Sequence, residues 1–364
     1  MRVAMLQSSL PPSPKSGGVG RQVDLLATEL ARRGEAVTVF TVDGPAADRA
    51  YDVEHVTLGE GRWRRVLDVG RAFARLDLSG FDVVHAHGDD WLFGGRPRVR
   101  TFYGSALMEA RTATSEVRRL AQLCYYALEW PASWNPFSVA ISNGTRRYLP
   151  LVRDCVPCGY DPGSFFPGGT RSEWPSILFV SGTLRGRKRG DLLLHTFAEV
   201  RRSIPDVRLT IVSHDSVTTP GVTCLSDLSP DELGSLYRCH WVLCSTSSYE
   251  GFGVPYIEAM ASGLPVVTTT NQGANEVLAE GELGVVCSPA DLAEEIVALL
   301  TDKRRRGLLT AAGLKAAERY SIRLVADEYQ RRYEELANGG RIARSRGGRA
   351  SSQPRTSHGK GATA

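Results

Sequence analysis

The chain reads as an α/β protein of two Rossmann-like domains, each built on a parallel sheet. Three observations predict this. Short apolar strands alternate with amphipathic helices, and the alternation runs through the sequence twice. A stretch rich in proline and glycine, Asp161 to Ser176, interrupts it midway. The chain has 364 residues, which suits two domains of about 150 better than one.

The elements follow in order. Arg2 to Leu6 is a buried strand ending in the loop Ser8-Ser9-Leu10-Pro11-Pro12. Ser16-Gly-Gly-Val-Gly20 then opens a helix, and glycines there let the backbone come close to a phosphate or sugar. From Gly20 to Arg33 the helix carries Val23, Leu26, Ala27 and Leu30 on one face, and Gly34 stops it. Ala36 to Thr41 and Val83 to Ala86 are the next strands. Between them, Arg62 to Arg75 reads as a helix packed on its sheet with a basic outer face. The other reading is a membrane-surface helix with Trp63, Val66, Leu67 and Phe73 on one side. Ile141 to Leu149 closes the first half. The second half runs strand Ser176 to Val180, helix Asp191 to Ser203 and strand Arg208 to Val212. Strand Trp241 to Cys244, helix Pro255 to Ser262 and strand Pro265 to Thr269 continue it. Ser321 to Ala337 is a last amphipathic helix with Leu324, Tyr329, Tyr333 and Leu336. The expected domains are 1–165 and 166–320, then a helix 321–338 and a disordered basic tail 339–364.

Composition narrows the function classes. Apolar residues make up 42% and charged residues 23%, as in ordinary soluble proteins. No run approaches the roughly 18 apolar residues of a membrane span, and the first apolar run is too short for a signal peptide. A cytoplasmic protein is expected. The net charge is +4, but six basic residues and no acidic one fall between Arg341 and Ala364. The rest is slightly negative, which argues against nucleic-acid binding; membrane contact would rest on the tail or on Arg62 to Arg75. Cys155-Val-Pro-Cys158 has the spacing of a metal or redox pair but no second ligand pair, so all seven cysteines are expected to be plain thiols. Sparse lysine among the basic residues suggests a bacterial genome rich in G and C.

The segment Glu250-Gly-Phe-Gly-Val-Pro-Tyr-Ile-Glu258, running on through Ala-Met-Ala-Ser-Gly263, places two carboxylates around a glycine turn and the start of a helix. Pro255 suits the first helical turn and Gly263 the stop. The backbone N–H groups of Gly251, Phe252, Gly253 and Val254 lie near the positive end of that helix, and the carboxylates accept hydrogen bonds from vicinal hydroxyls. This segment resembles the signature of the retaining GT-B glycosyltransferases of family four (glycosyl transferases group 1), and the likeness spans about residues 1 to 337. It implies the GT-B fold: two Rossmann-like domains facing across a cleft, with the C-terminal helix crossing back to the N-terminal domain.

The resemblance also implies a site. Gly17 and Gly18 match the loop beneath the donor's diphosphate. Phe81-Asp-Val-Val-His85-Ala-His87 matches the strand end with a functional histidine at His87; alternation puts His85 on the same face, read as a core residue. Val180-Ser-Gly182 to Gly190 matches the diphosphate loop, with Thr183 where the family has arginine, so Arg187, Lys188 and Arg189 are the candidate cations. Leu209 to Ser213 lacks the glycine usual after that strand. Thr101-Phe-Tyr103-Gly104 carries tyrosine where many members have histidine, and Tyr103 and Glu109 are assigned to the acceptor side.

The implied reaction is transfer of a hexose-type sugar, with retention, from a nucleotide sugar to a small-molecule, glycan or lipid-linked acceptor. Cell-envelope glycans and natural products both fit. Lys188 and its neighbours would stabilise the leaving diphosphate. Glu258 would hold the ribose, while Glu250, the Phe252 to Val254 backbone and His87 would orient the sugar. Front-face attack gives Glu250 no nucleophilic role. No Asp-x-Asp triplet occurs, so no metal or cofactor is expected. A nicotinamide dehydrogenase is disfavoured, since Gly-x-Gly-x-x-Gly is absent and no acid ends the second strand before Asp43. A silent GT-B subunit and a nucleotide-sugar epimerase remain as alternatives.

Overall fold

The computed structural model describes residues 1–13, 16–44, 48–58, 65–92, 98–113 and 115–348, with backbone alone at 65–67 and 339–348. In the first half run β1 (Arg2–Leu6), α1 (Gly17–Arg32), β2 (Ala36–Thr41), β3 (Asp52–His55), α2 (Arg65–Ala74) and β4 (Val83–Ala86). Then come β5 (Val99–Phe102), α3 (Ala106–Arg111), α4 (Glu116–Ser133), β6 (Ser138–Ala140), α5 (Asn143–Tyr148) and β7 (Asp154–Cys155). In the second half run β8 (Ser176–Val180), α6 (Gly190–Ser203), β9 (Arg208–Val212), β10 (Val222–Leu225), α7 (Pro230–Cys239) and β11 (Val242–Ser245). They are followed by α8 (Val254–Ala261), β12 (Val266–Thr269), α9 (Gln272–Val277), β13 (Val285–Cys287), α10 (Leu292–Thr301), α11 (Lys303–Ala317) and α12 (Ile322–Gly348).

The strands form two parallel sheets, in the orders β3-β2-β1-β4-β5-β6-β7 and β10-β9-β8-β11-β12-β13. In each, the order reverses beside the first strand of its half, which opens a crevice at the strand C-termini. Both faces are covered, so the central strands are near-continuous apolar runs. Val3, Ala4, Met5 and Leu6 are fully buried, for example. In the first domain α1 packs on one face and α2 on the other through Val69 and Phe73. Phe73 is wholly buried, so the alternative that set it on a membrane-facing side of this helix is corrected; Trp63 lies outside the described residues.

The chain crosses between the domains twice, side by side. Tyr160 N donates to Tyr320 O and Ile322 N to Tyr160 O, both at 3.0 Å. Gln22 of α1 clamps the same strand: its amide donates to Gly159 O and accepts from Gly159 N, each at 2.8 Å. Past this crossing α12 lays Ile322, Val325, Tyr329, Tyr333 and Leu336 into the first domain's core. The helix continues to Gly348 instead of ending at 338, a correction to the expected disordered tail. Arg341, Ala343, Arg344 and Arg346 are good helix formers and carry it past Gly339-Gly340. The tail from 349 lies outside the described residues. All seven cysteines are free, Cys155 and Cys158 included.

Candidate active site

Glu250 sits on the loop after β11, as a buried carboxylate facing two cations. Lys188 Nζ donates to its Oε1 at 2.5 Å, and Arg187 Nη1 lies 3.5 Å from its Oε2. Burial works to raise the Glu250 carboxyl, but Lys188 and Arg187 outweigh it and hold the group below the usual range. Arg187 also donates to Tyr249 O at 3.0 Å and stands 3.6 Å from Glu109 of α3, in the other domain. Arg189 is used differently. Its guanidinium donates to Thr246 O and Thr269 Oγ1, each at 2.6 Å, tying two strand ends together. Of the three candidate cations, Lys188 and Arg187 are the ones turned to Glu250. Thr183, in the position read as arginine, donates to Asp215 at 2.6 Å, and Ser213 Oγ accepts from Asp215 N at 3.1 Å.

Gly253 caps α8 with φ of 102°, and a Cβ there would stand 2.3 Å from the Tyr256 ring. No side chain caps this end; Pro255 has no N–H and Tyr256 N donates to Gly253 O at 2.9 Å, so Val254 N is the helical donor left for a ligand. Gly251 lies against the first domain, where a Cβ would be 2.8 Å from Tyr103 O. The Phe252 ring is core, edge-on to Tyr320, so only its backbone is available to a ligand. Glu258, one turn into α8, is half-buried and accepts from the Tyr237 hydroxyl at 2.9 Å. Burial pushes its carboxyl up to about 7, against the Tyr237 hydrogen bond and the positive charge of Arg21 on α1.

On the first domain His87 directly follows β4. Its Nδ1 lies 3.0 Å from the Tyr103 hydroxyl, and its Nε2 is buried with no partner among the described residues. Burial and the charge of Arg100 lower the imidazole to about 3, so His87 is neutral at physiological pH. His85 stacks on it at 3.9 Å between ring centres, with both nitrogens engaged: Nδ1 with Tyr333 at 2.7 Å and Nε2 with Thr101 at 2.9 Å. Tyr329 reaches the same Thr101 hydroxyl at 2.8 Å. Gly17 and Gly18 open α1 into free space, Gly17 with φ of 54°. The close approach in this loop is made at Gly20 instead, where a Cβ would stand 2.5 Å from Ser9 O.

Comparison with known proteins identifies the arrangement. Residues 16–163 match the family model described as Glycosyltransferase Family 4, and residues 175–302 that described as Glycosyl transferases group 1. The phosphatidyl-myo-inositol mannosyltransferase of Mycobacterium tuberculosis is 31% identical over 371 residues, covering 89% of this chain and 94% of its own. The chain belongs to glycosyltransferase family 4. A second relative of this glycosyltransferase, the D-inositol 3-phosphate glycosyltransferase of Segniliparus rotundus, is 28% identical over 92% of this chain and 88% of its own. The solved sucrose-phosphate synthase from Thermosynechococcus elongatus matches with a TM-score of 0.78 at 18% identity, over 93% of this chain and 100% of that one. Anabaena HepE in complex with UDP-glucose matches at 0.69 with 16% identity, over 93% and 100%. The fold is GT-B.

In this family-4 glycosyltransferase the sequence-selected residues gather from both domains. Glu250, Lys188, Arg187 and the Gly251 to Val254 turn come from the second; His87, Tyr103 and Glu109 come from the first. The Tyr103 hydroxyl is turned to His87. Three participants escaped the sequence reading. Arg21 lies one turn into α1 and faces Glu258, and its place after Ser-Gly-Gly was the available signal. Gly273, where a Cβ would stand 2.5 Å from Phe252 O, lets α9 pack beneath the glycine turn. Glu276 on α9 accepts from Asn143 N at 2.8 Å and Gly144 N at 3.1 Å, across the domain boundary. Nothing in the sequence marks Glu276. Among the described residues no three His, Cys, Asp or Glu side chains gather as metal ligands.

Proposed function

We propose that this glycosyltransferase moves a hexose-type sugar from a nucleotide-sugar donor to an acceptor hydroxyl, with retention and without a metal. One observation carries the reading: an ionised Glu250 held by Lys188 and Arg187 beside the open N-terminus of α8. A diphosphate fits there, taking charge from Lys188 and Arg187 and leaving Glu250 to accept from the sugar's hydroxyls. Glu258 accepts the ribose hydroxyls. The neutral His87 offers Nε2 to a sugar hydroxyl from the other side, and Tyr103 fixes the ring's orientation. Charge developing on the leaving diphosphate is met by cationic side chains, which is the role a divalent ion would otherwise fill. With front-face attack assisted by the leaving diphosphate, Glu250 orients the donor and does not attack. The acceptors named for the relatives, inositol phosphate and phosphatidylinositol, make a polyol phosphate or its lipid form the first acceptor to test.

The test is a calorimetric screen of UDP-, GDP-, dTDP- and ADP-sugars, with and without EDTA. One donor should bind at micromolar level, keep its affinity in EDTA and lose it in Glu258→Ala. Incubation of that donor with inositol phosphate, read by NMR, should then give a product of unchanged anomeric configuration. If no nucleotide sugar binds the wild-type protein, the reading fails. If the donor is consumed to free nucleotide with no acceptor present, an epimerase takes its place.

A further inference from the structure

Helix α4 presents an apolar face that nothing among the described residues covers. Val117, Leu120, Cys124, Ala127, Pro131 and Trp134 follow one another at steps of three and four residues, so they share one side of the helix, and all are exposed. Val117 is 83%, Leu120 65% and Trp134 74% accessible. Leu123 and Trp130 widen the face. Five of the eleven large apolar side chains that face solvent among the described residues lie on this helix or at its C-cap, which makes the exposure a patch and not scatter.

The surroundings of the patch are basic. Arg118 and Arg119 flank it on α4 itself; Arg118 lies 3.6 Å from Glu109 and Arg119 2.8 Å from Glu116. The Tyr126 hydroxyl donates to Tyr148 O at 2.9 Å, which draws α5 alongside with exposed Arg146 and Arg147. Arg111, at the end of α3, stacks over the Tyr148 ring. The basic side chains outnumber Glu109 and Glu116. We infer that α4 is an interfacial helix that rests this glycosyltransferase on an anionic lipid bilayer.

A face of Leu, Val and Trp flanked by arginine is what the boundary between headgroups and acyl chains accepts, with the apolar side dipping in and the guanidinium groups meeting phosphates. A second copy of the chain fits less well. Pairing two such faces would bring arginines of one sign together, whereas a helix–helix seam is flanked by alternating charges. No helix among the described residues is long and apolar enough to cross a membrane, so the contact lies on the bilayer and not through it. The placement also connects to the cleft. Glu129 on the inner side of α4 accepts from Ala106 N, at the start of α3, at 3.2 Å from each carboxylate oxygen. The same α3 carries Glu109, which faces Arg187 across the cleft. A bilayer against α4 would lie beside the acceptor side; that this delivers a lipid-linked acceptor rests on the function proposed above, whereas the docking itself does not.

Co-sedimentation of the full chain with vesicles tests the docking without any turnover. Wild-type protein should partition onto vesicles containing phosphatidylglycerol, less onto phosphatidylcholine alone, and less as salt rises. The double variant Leu120→Glu/Trp134→Glu should lose at least about tenfold in partition, while its melting temperature and nucleotide-sugar binding match wild type. Equal sedimentation with the two vesicle types overturns the inference. So does a double variant that partitions like wild type, which would assign lipid binding to the basic tail or another surface. A wild-type dimer in light scattering that the double variant dissolves, with no vesicle binding, would make a second copy the occupant.

Discussion

Desolvation favours the neutral form of both Glu258 and His87, which moves their pKa values in opposite directions. His87 falls to about 3 and stays neutral through the working range; Glu258 rises to about 7 and titrates inside it. On the proposed function the ionised carboxylate accepts from the ribose hydroxyls, so donor binding would pull the proton off Glu258. Affinity for the nucleotide sugar, whose diphosphate diester does not titrate in this window, should therefore rise from pH 6 to about 7 and level off above. Calorimetry at three pH values checks this; Glu258→Gln should bind more weakly with no such rise, and a flat wild-type profile would remove Glu258 from the site. The second residue-scale case is Tyr333, whose hydroxyl satisfies buried His85, on which His87 stacks. Tyr333→Phe leaves a buried nitrogen unpaired, costing about 1–3 kcal/mol, and frees the imidazole pair to shift. We expect kcat to fall by about tenfold with the donor KM unchanged. A lower melting temperature with kcat intact would make Tyr333 structural only.

Helix α8 was the most legible element because its ends are chemically marked. Pro255 falls in the first turn, and Gly263 ends the helix with φ of 70°. Gly253 is stricter than any spacing argument implied, since it takes positive φ and also makes room for the Tyr256 ring. Gly253→Ala should cost at least about 2 kcal/mol from backbone strain and overpacking and should weaken donor binding by misdirecting the Phe252 to Val254 N–H groups. Urea unfolding and calorimetry check the two effects, and wild-type behaviour in both would show the turn to be pliable. Other elements left weaker traces. β6 and β13 have three residues each and β7 two, too few for alternation to register. The tail is expected from 339, yet α12 runs through Gly339-Gly340, because good helix formers on both sides outweigh two glycines. Side-chain direction was the other gap. Spacing could nominate Lys188 and Arg189 equally, and only the fold turns one to Glu250 and the other into the strand ends.

At the scale of the whole molecule, the two sheets are joined by the paired crossing at Tyr160 and Ile322 and meet again across the cleft. Glu276 accepts from the Asn143 and Gly144 N–H groups, Ser142 Oγ donates to Gly251 O at 2.8 Å, and Arg187 faces Glu109. On the proposed function a nucleotide sugar enters between these contacts, which would then open and re-form in each cycle. Of the three, Glu276 is the one whose loss leaves Glu250 and its cations untouched, because its partners are the α5 backbone and the Asn143 side-chain amide. Its hydrogen bonds are charge-assisted but half exposed, so together they are worth on the order of 1 kcal/mol. Glu276→Ala should then shift the donor-free protein toward an open form. Small-angle scattering should give it a larger radius of gyration than wild type, and saturating donor should bring the two together. Donor affinity should drop by about fivefold, the same energy read as a population shift. Glu276→Gln, which keeps one acceptor for the α5 backbone, should lie between. Identical scattering for wild type and Glu276→Ala without donor would mean that the paired crossing alone sets the angle between the domains.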